Sequence, residues 1–167
     1  MNDQRFLAYA LQVVGDDNTV YLKKPMSSSE LGQSIRSAEA FLNRMEAYAL
    51  SGEEGLALTE LNAFRKTRVI GYTDVNLSGQ ALLDEIRLER RKELCFEGHR
   101  WFDLRRQGMP EIKHTYKAEK GGAVYEYVLQ QGDPMYTLPF PNSVVLQNRA
   151  LVQNPSREMG ARQGEIQ

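Results

Sequence analysis

The segment LLDEIRLERRKELCFEGHRWFDLRRQG, residues 82–108, constrains the fold more than any other part of the chain. A helix running through it sets Leu83, Ile86, position 90, Leu94, position 97, Trp101 and Leu104 on one face, because residues three and four apart are neighbours on a helix. Position 90 is Arg and position 97 is Glu, so the pattern sends two opposite charges to the side that should be buried. They are seven residues apart, about 10.5 Å along the axis, too far to pair directly. Glu93 and Arg100 fill the gaps, so Arg90, Glu93, Glu97 and Arg100 form a ladder along one face. Exposed ladder pairs contribute only a few tenths of a kcal/mol. A buried charge costs several kcal/mol unless it is paired and hydrogen-bonded. The ladder is therefore expected to be completed by other segments, through loop backbone carbonyls and amides, with Trp101 and Phe102 packed over it. Arg90, Glu93, Glu97, Arg100, Trp101 and Asp103 form the structural set, and Arg100→Ala or Glu97→Ala should each cost a few kcal/mol.

Glu93 and Glu97 could instead serve as a general acid and base. Such a pair needs a cleft and two different environments. The flanking arginines would hold both carboxylates ionised, so the structural reading is preferred. Cys95 and His99 stand four apart and could form a thiolate–imidazole pair, but no third group to orient them is evident. His99 and His114 are the two histidines, with no HExxH and no clustered ligand set, so neither a metal nor another cofactor is expected. No glycine-rich phosphate loop is present. Tyr116, Tyr125, Tyr127 and Tyr136 are spread through a loop-rich region, where their rings could face a sugar or pack against the protein's own helices.

Upstream, Ser27 and Glu30 have capping-box spacing. Leu31, Ile35, Ala38, Leu42, Met45 and Ala49 then alternate by four and three, an amphipathic helical stripe. Gly52 stops it, and Ser51 with Glu54 can cap a second helix carrying Leu56, Leu58, Leu61 and Phe64. Two helices joined so tightly must pack antiparallel, as in a tetratricopeptide hairpin spanning about 28–70. A third helix is expected over 79–107, with Ser78 at its start and Gly108 then Pro110 at its end. Residues 108–137 read as a long connection with short strands around Val124 to Leu129. The fold class is mainly α, divided into an irregular 1–26, a helical domain at 27–155 and a disordered tail at 156–167.

The remaining numbers narrow the partners. A formal net charge of -1, from 21 basic and 22 acidic residues, argues against nucleic acid. One cysteine excludes an intrachain disulfide. The opening residues, MNDQRFLAYALQVVGDD, lack the features of a secretory signal, and no stretch approaches the roughly 18 apolar residues of a membrane helix.

Residues 82–106 resemble the signature helix of the SusD/RagB family, whose core pattern E-G-x-R-W-x-D-L-x-R reads here Glu97-Gly98-His99-Arg100-Trp101-Phe102-Asp103-Leu104-Arg105-Arg106. Ile35-Arg36-Ser37-Ala38-Glu39, Leu42-Asn43-Arg44, Glu46-Ala47-Tyr48, Ala57, Leu61-Asn62 and Arg65 are similar to the family's upstream hairpin. Leu138-Pro139-Phe140-Pro141, Asn148 and Gln153-Asn154-Pro155 are similar to its closing segment, although Val144-Val145 and Ser156-Arg157 depart from it. The resemblance spans about residues 30–155 and matches the C-terminal portion of longer family members, so the chain is expected to be a fragment. It implies an outer-membrane, cell-surface lipoprotein that captures oligosaccharide without catalysis beside a TonB-dependent transporter, anchored by a lipid outside this sequence. No ligand-binding residue is carried over. Two other readings stay open: a tetratricopeptide-like protein–protein adaptor, and a carboxylate-dependent glycan hydrolase.

Overall fold

The computed structural model describes residues 2–5, 11–14, 20–23, 36–158 and 164–166. Ser37–Leu50 (α1) and Glu54–Lys66 (α2) form the expected hairpin. Gly52 turns the chain with a φ of 86°, a conformation that costs glycine little, and the Glu53 amide closes the turn on the Tyr48 carbonyl at 2.9 Å. The capping box at Ser27 and the stripe positions Leu31 and Ile35 lie outside the described residues. Ser51 does not cap α2. Its hydroxyl donates back to the Tyr48 carbonyl at 3.2 Å, and Glu53 occupies the cap position.

The expected third helix is two. Gly79–Glu93 (α3) ends where Phe96 and Gly98 take φ values of 64° and 81°, and His99–Arg106 (α4) follows. Glycine enters this left-handed region cheaply, whereas a residue with a Cβ loses about 1–2 kcal/mol there. The break takes Glu97 off the helical face, and its carboxylate meets the Arg36 guanidinium. Ser78 stands at the start of α3 without a side-chain capping bond. The Gly79 amide donates instead to Glu54 Oε2 of α2 at 3.0 Å.

The chain divides into two compact units, residues 1–100 and 101–167, so the boundary falls within α4. In the first unit Ala38, Leu42 and Met45 of α1, Ala57, Leu61 and Phe64 of α2, and Leu82 and Ile86 of α3 share one core with Leu94. Two single positions differ from the sequence reading: Leu82 is buried where Leu83 was expected, and Leu56 is exposed. Leu11–Val14 (β1) pairs antiparallel with Val20–Lys23 (β2), and Asp3 bridges to Val69, so the described residues of the N-terminal segment form short extended pairs.

In the second unit Ile112–Lys117 (β3), Val124–Leu129 (β4) and Glu165–Ile166 (β5) form an antiparallel sheet in that order. Trp101 stacks on Tyr136 with ring centroids 4.9 Å apart, and the Tyr136 hydroxyl donates to the Pro110 carbonyl. Asn142–Gln147 (α5) follows the prolines. Those prolines have no N–H, so Leu138–Pro141 cannot ladder as a strand. The Gln153 side chain supplies the pairing, accepting from the Phe140 amide at 2.8 Å and donating to its carbonyl at 3.0 Å, while Asn154 donates to the Leu138 carbonyl at 2.8 Å. The tail expected to be disordered after Pro155 is structured at its described residues. Ser156 is buried and donates to the Thr137 carbonyl, and β5 pairs with β4.

Leu61→Ala should lower unfolding free energy by about 2–5 kcal/mol. Gly98→Ala meets no neighbouring atom, so backbone strain alone should cost about 1 kcal/mol. Urea denaturation of both variants checks the two values.

Candidate functional site

On α3, Glu85, Glu89 and Glu93 recur every fourth residue and so share one face. Glu89 and Glu93 are fully buried. Four arginines from three other stretches of chain reach them. Arg68 donates to Glu93 Oε2 through Nε at 3.0 Å and to Oε1 through Nη2 at 3.2 Å, a two-pronged contact matched to the carboxylate. Arg36 Nη2 donates to Glu93 Oε1 at 2.7 Å, and its Nη1 donates to the Glu93 carbonyl and to Glu97 Oε1. Arg65 Nε donates to Glu89 Oε2 at 2.7 Å, and its Nη2 donates to Glu85. Arg5 Nη1 lies 2.6 Å from Glu89 Oε1, an ion pair without hydrogen-bond alignment, and 3.5 Å from Glu93 Oε2.

Burial pushes the Glu93 carboxyl up. The guanidinium groups of Arg68, Arg36 and Arg5 outweigh it and hold Glu93 below the usual carboxylate range. Burial likewise pushes Arg65 down, and hydrogen bonds to Glu85 and Glu89 more than restore it. Backbone pairing sets Arg5 in place: the Gln4 amide donates to the Arg68 carbonyl at 2.8 Å and the Ile70 amide to the Asn2 carbonyl at 2.9 Å.

The residues singled out from the sequence fall into separate places. Glu93 and Glu97 meet at Arg36. Arg90 turns the other way and donates to Asn43 Oδ1 at 2.8 Å, with Glu39 at 3.6 Å. Arg100 is exposed. Trp101 stacks on Tyr136, and Phe102 is 67% exposed. Asp103 is buried and accepts from Arg106 Nε at 3.1 Å. The partners of the buried carboxylates are arginine side chains rather than the loop backbone expected from the sequence. Arg5, Arg36, Arg65, Arg68 and Glu89 were missed. The four-residue spacing of Glu85, Glu89, Glu93 and Glu97 was the available signal, since a stripe of acids on one helix face calls for cations from elsewhere.

His99 Nδ1 lies 3.7 Å from Glu39 Oε1, and Cys95 is half-buried. Among the described residues no three metal-ligating side chains converge, and no helix is long and apolar enough to cross a membrane.

Two surfaces could meet a ligand. A cleft of about 360 Å³ on the α1–α2 hairpin is floored by Phe41 and Phe64, with the guanidinium of Arg44 5.0 Å from the first ring centre and that of Arg68 4.6 Å from the second. The other surface is the β3–β4 hairpin, whose register sets Tyr116 opposite Tyr125 and His114 opposite Tyr127.

The SusD family model matches residues 18–156. The chain belongs to the SusD family. A SusD superfamily protein from Bacteroides fragilis is similar over 89% of this chain and 33% of its own, at 29% identity and a TM-score of 0.64. A SusD-like protein from Bacteroides fragilis NCTC 9343 is similar over 72% of this chain and 25% of its own, at 27% identity and a TM-score of 0.55. A SusD-like carbohydrate binding protein from Bacteroides vulgatus ATCC 8482 shares the fold over 79% of this chain and 33% of its own, at 24% identity and a TM-score of 0.53. This SusD-family chain therefore spans between a quarter and a third of the length of these structures. A search of curated proteins found no match.

Glu93→Gln removes the charge that three arginines share and should cost about 3–5 kcal/mol at neutral pH. Because the folded value of Glu93 lies below its unfolded value, its contribution is complete above the unfolded carboxylate value of about 4.3 and is lost as pH falls through the folded value. Thermal melting from pH 7 to pH 2 should show a steep acid limb in the wild type and a shallower one in Glu93→Gln. Arg100→Ala, at an exposed position, should change the melting temperature less than Glu97→Ala.

Proposed function

We propose that this chain serves in non-catalytic capture of oligosaccharide at the outer surface of the outer membrane, for delivery to a TonB-dependent transporter. The family match over residues 18–156 carries this reading. A similarly folded relative described as carbohydrate binding adds to it. The chemistry of the carboxylates supports capture over hydrolysis. A glycoside hydrolase needs one carboxyl kept protonated as an acid. Glu93 is held ionised by arginines, and Glu97 is bonded to Arg36. The tetratricopeptide-like adaptor remains the second reading, favoured by the phenylalanine-floored cleft on the α1–α2 hairpin.

Affinity electrophoresis through gels cast with neutral glucans, mannans and xylans should retard the protein in at least one gel, with no new reducing ends released after prolonged incubation. Migration unchanged in every gel would overturn the capture reading, and release of reducing ends would restore the hydrolase. A TonB-dependent transporter should co-purify with the protein from detergent-solubilised outer membranes.

A further inference from the structure

The β3–β4–β5 sheet separates its residues by chemistry. Strand residues alternate between faces, and directly paired residues share a face. Tyr116 and Tyr125 are paired, as are His114 and Tyr127, and Ile166 pairs with Tyr125 from the other side. These five residues stand on one face. Lys113, Lys117, Glu126 and Glu165 stand on the opposite one. The charged groups of the sheet are thus collected on one side, and the tyrosines on the other.

The tyrosine face is also shaped. Two residues along the register from the Tyr125–Ile166 pair, and so on the same face, Gly164 comes opposite Tyr127. A Cβ on Gly164 would stand 2.8 Å from ring atoms of Tyr127 and 2.8 Å from the Tyr125 Cβ. The Tyr127 ring therefore lies across the bare backbone of the neighbouring strand, and a side chain there would displace it. Beside it Tyr125 is half-buried, while Tyr116 is 57% exposed and His114 is exposed. A fixed ring next to a freely accessible one gives a flat, uncharged surface with hydroxyl groups at its margin.

The geometry points to this tyrosine face as a binding surface for an uncharged oligosaccharide, a proposal that rests on the capture reading above and assigns it residues. The complementarity is electrostatic as well as steric. A neutral sugar presents C–H faces that pack on aromatic rings and hydroxyls that tyrosine O–H groups can bond. It brings no charge that would need a partner, and the lysines and glutamates of the sheet stand on the opposite face. An anionic ligand would be drawn to Lys113 and Lys117 on the other side.

Isothermal titration of the 167-residue chain with the neutral oligosaccharide that corresponds to the strongest gel retardation tests the assignment. Tyr116→Ala and Tyr125→Ala should each weaken binding at least tenfold, and Lys113→Ala on the opposite face should stay within twofold of wild type. Gly164→Leu, which displaces the Tyr127 ring without removing a tyrosine, should weaken binding as well. Tyr116→Phe keeps the ring and guards against misfolding as the cause: it should retain most of the affinity if stacking carries the contact. Wild-type affinity in both alanine variants would overturn the assignment and leave the capture reading intact. Absence of any sugar binding by the wild-type chain would overturn both. A change in sedimentation of the tyrosine variants with unchanged sugar affinity would reassign the face to contact between copies of the chain.

Discussion

Glu93 is a carboxylate withdrawn from water, and the first unit of the molecule is arranged so that it can stay charged there. Three guanidinium groups converge on it, one from the N-terminal residues, one from the start of α1 and one from just beyond α2. Each contact would be unfavourable alone, because burying an isolated ion costs more than one partner returns. Together with Arg65 and Glu89 the charges are balanced closely enough that the low-dielectric surroundings strengthen the attraction rather than penalise it.

That arrangement explains several features that would otherwise look unrelated. Arg36 begins α1 without capping it, since a guanidinium has no acceptor to offer the first amides, and its side chain goes instead to Glu93 and Glu97. The stretch after α2 is held by Arg68 at one point and by Asn62 at another. Asn62 donates to the Val75 carbonyl and accepts from the Val75 amide and the Tyr72 hydroxyl. The helix breaks after Glu93 with Phe96 in a strained backbone region, and Glu97 thereby reaches an arginine. Polar and ionic contacts set the positions of the segments, while Leu42, Met45, Leu61, Leu82 and Ile86 supply the apolar burial that holds them together.

The hairpin of α1 and α2 was legible from periodicity, since Ala38, Leu42 and Met45 repeat at helical spacing and Gly52 marks the turn. The charged face of α3 was legible as an anomaly, because Arg90 interrupted an apolar stripe. Its resolution was not, because the partners of Glu93 come from 25, 57 and 88 residues away and no local pattern encodes such distances. The helix break was hidden for a different reason. Phe96 gives no warning of a positive φ, and a single glycine such as Gly98 is tolerated inside a strong helical pattern. Tyr116, Tyr125 and Tyr127 could be noted as aromatic residues in a loop region, but which face they share depends on a register that Gly121 and the hairpin turn determine. The closing segment was legible as a motif and not as a mechanism, since nothing in Gln153 announces that its amide replaces a missing strand partner for Phe140.

The docking of Arg5 also bears on the order in which the first unit assembles. Joining residue 5 to residue 93 closes a separation of 88 residues, against 25 for Arg68 and Glu93. The entropy of closing a loop grows only logarithmically, so the longer closure is less favourable by about 1 kcal/mol. Folding can therefore proceed from α2 meeting α3, with the N-terminal residues arriving late and at small entropic cost. Until they arrive, Glu89 has only Arg65 of its two guanidinium partners, and Glu93 only Arg68 and Arg36 of its three. The final stage of folding should then be an electrostatic capture, one whose rate depends on ionic strength more than the earlier apolar collapse does.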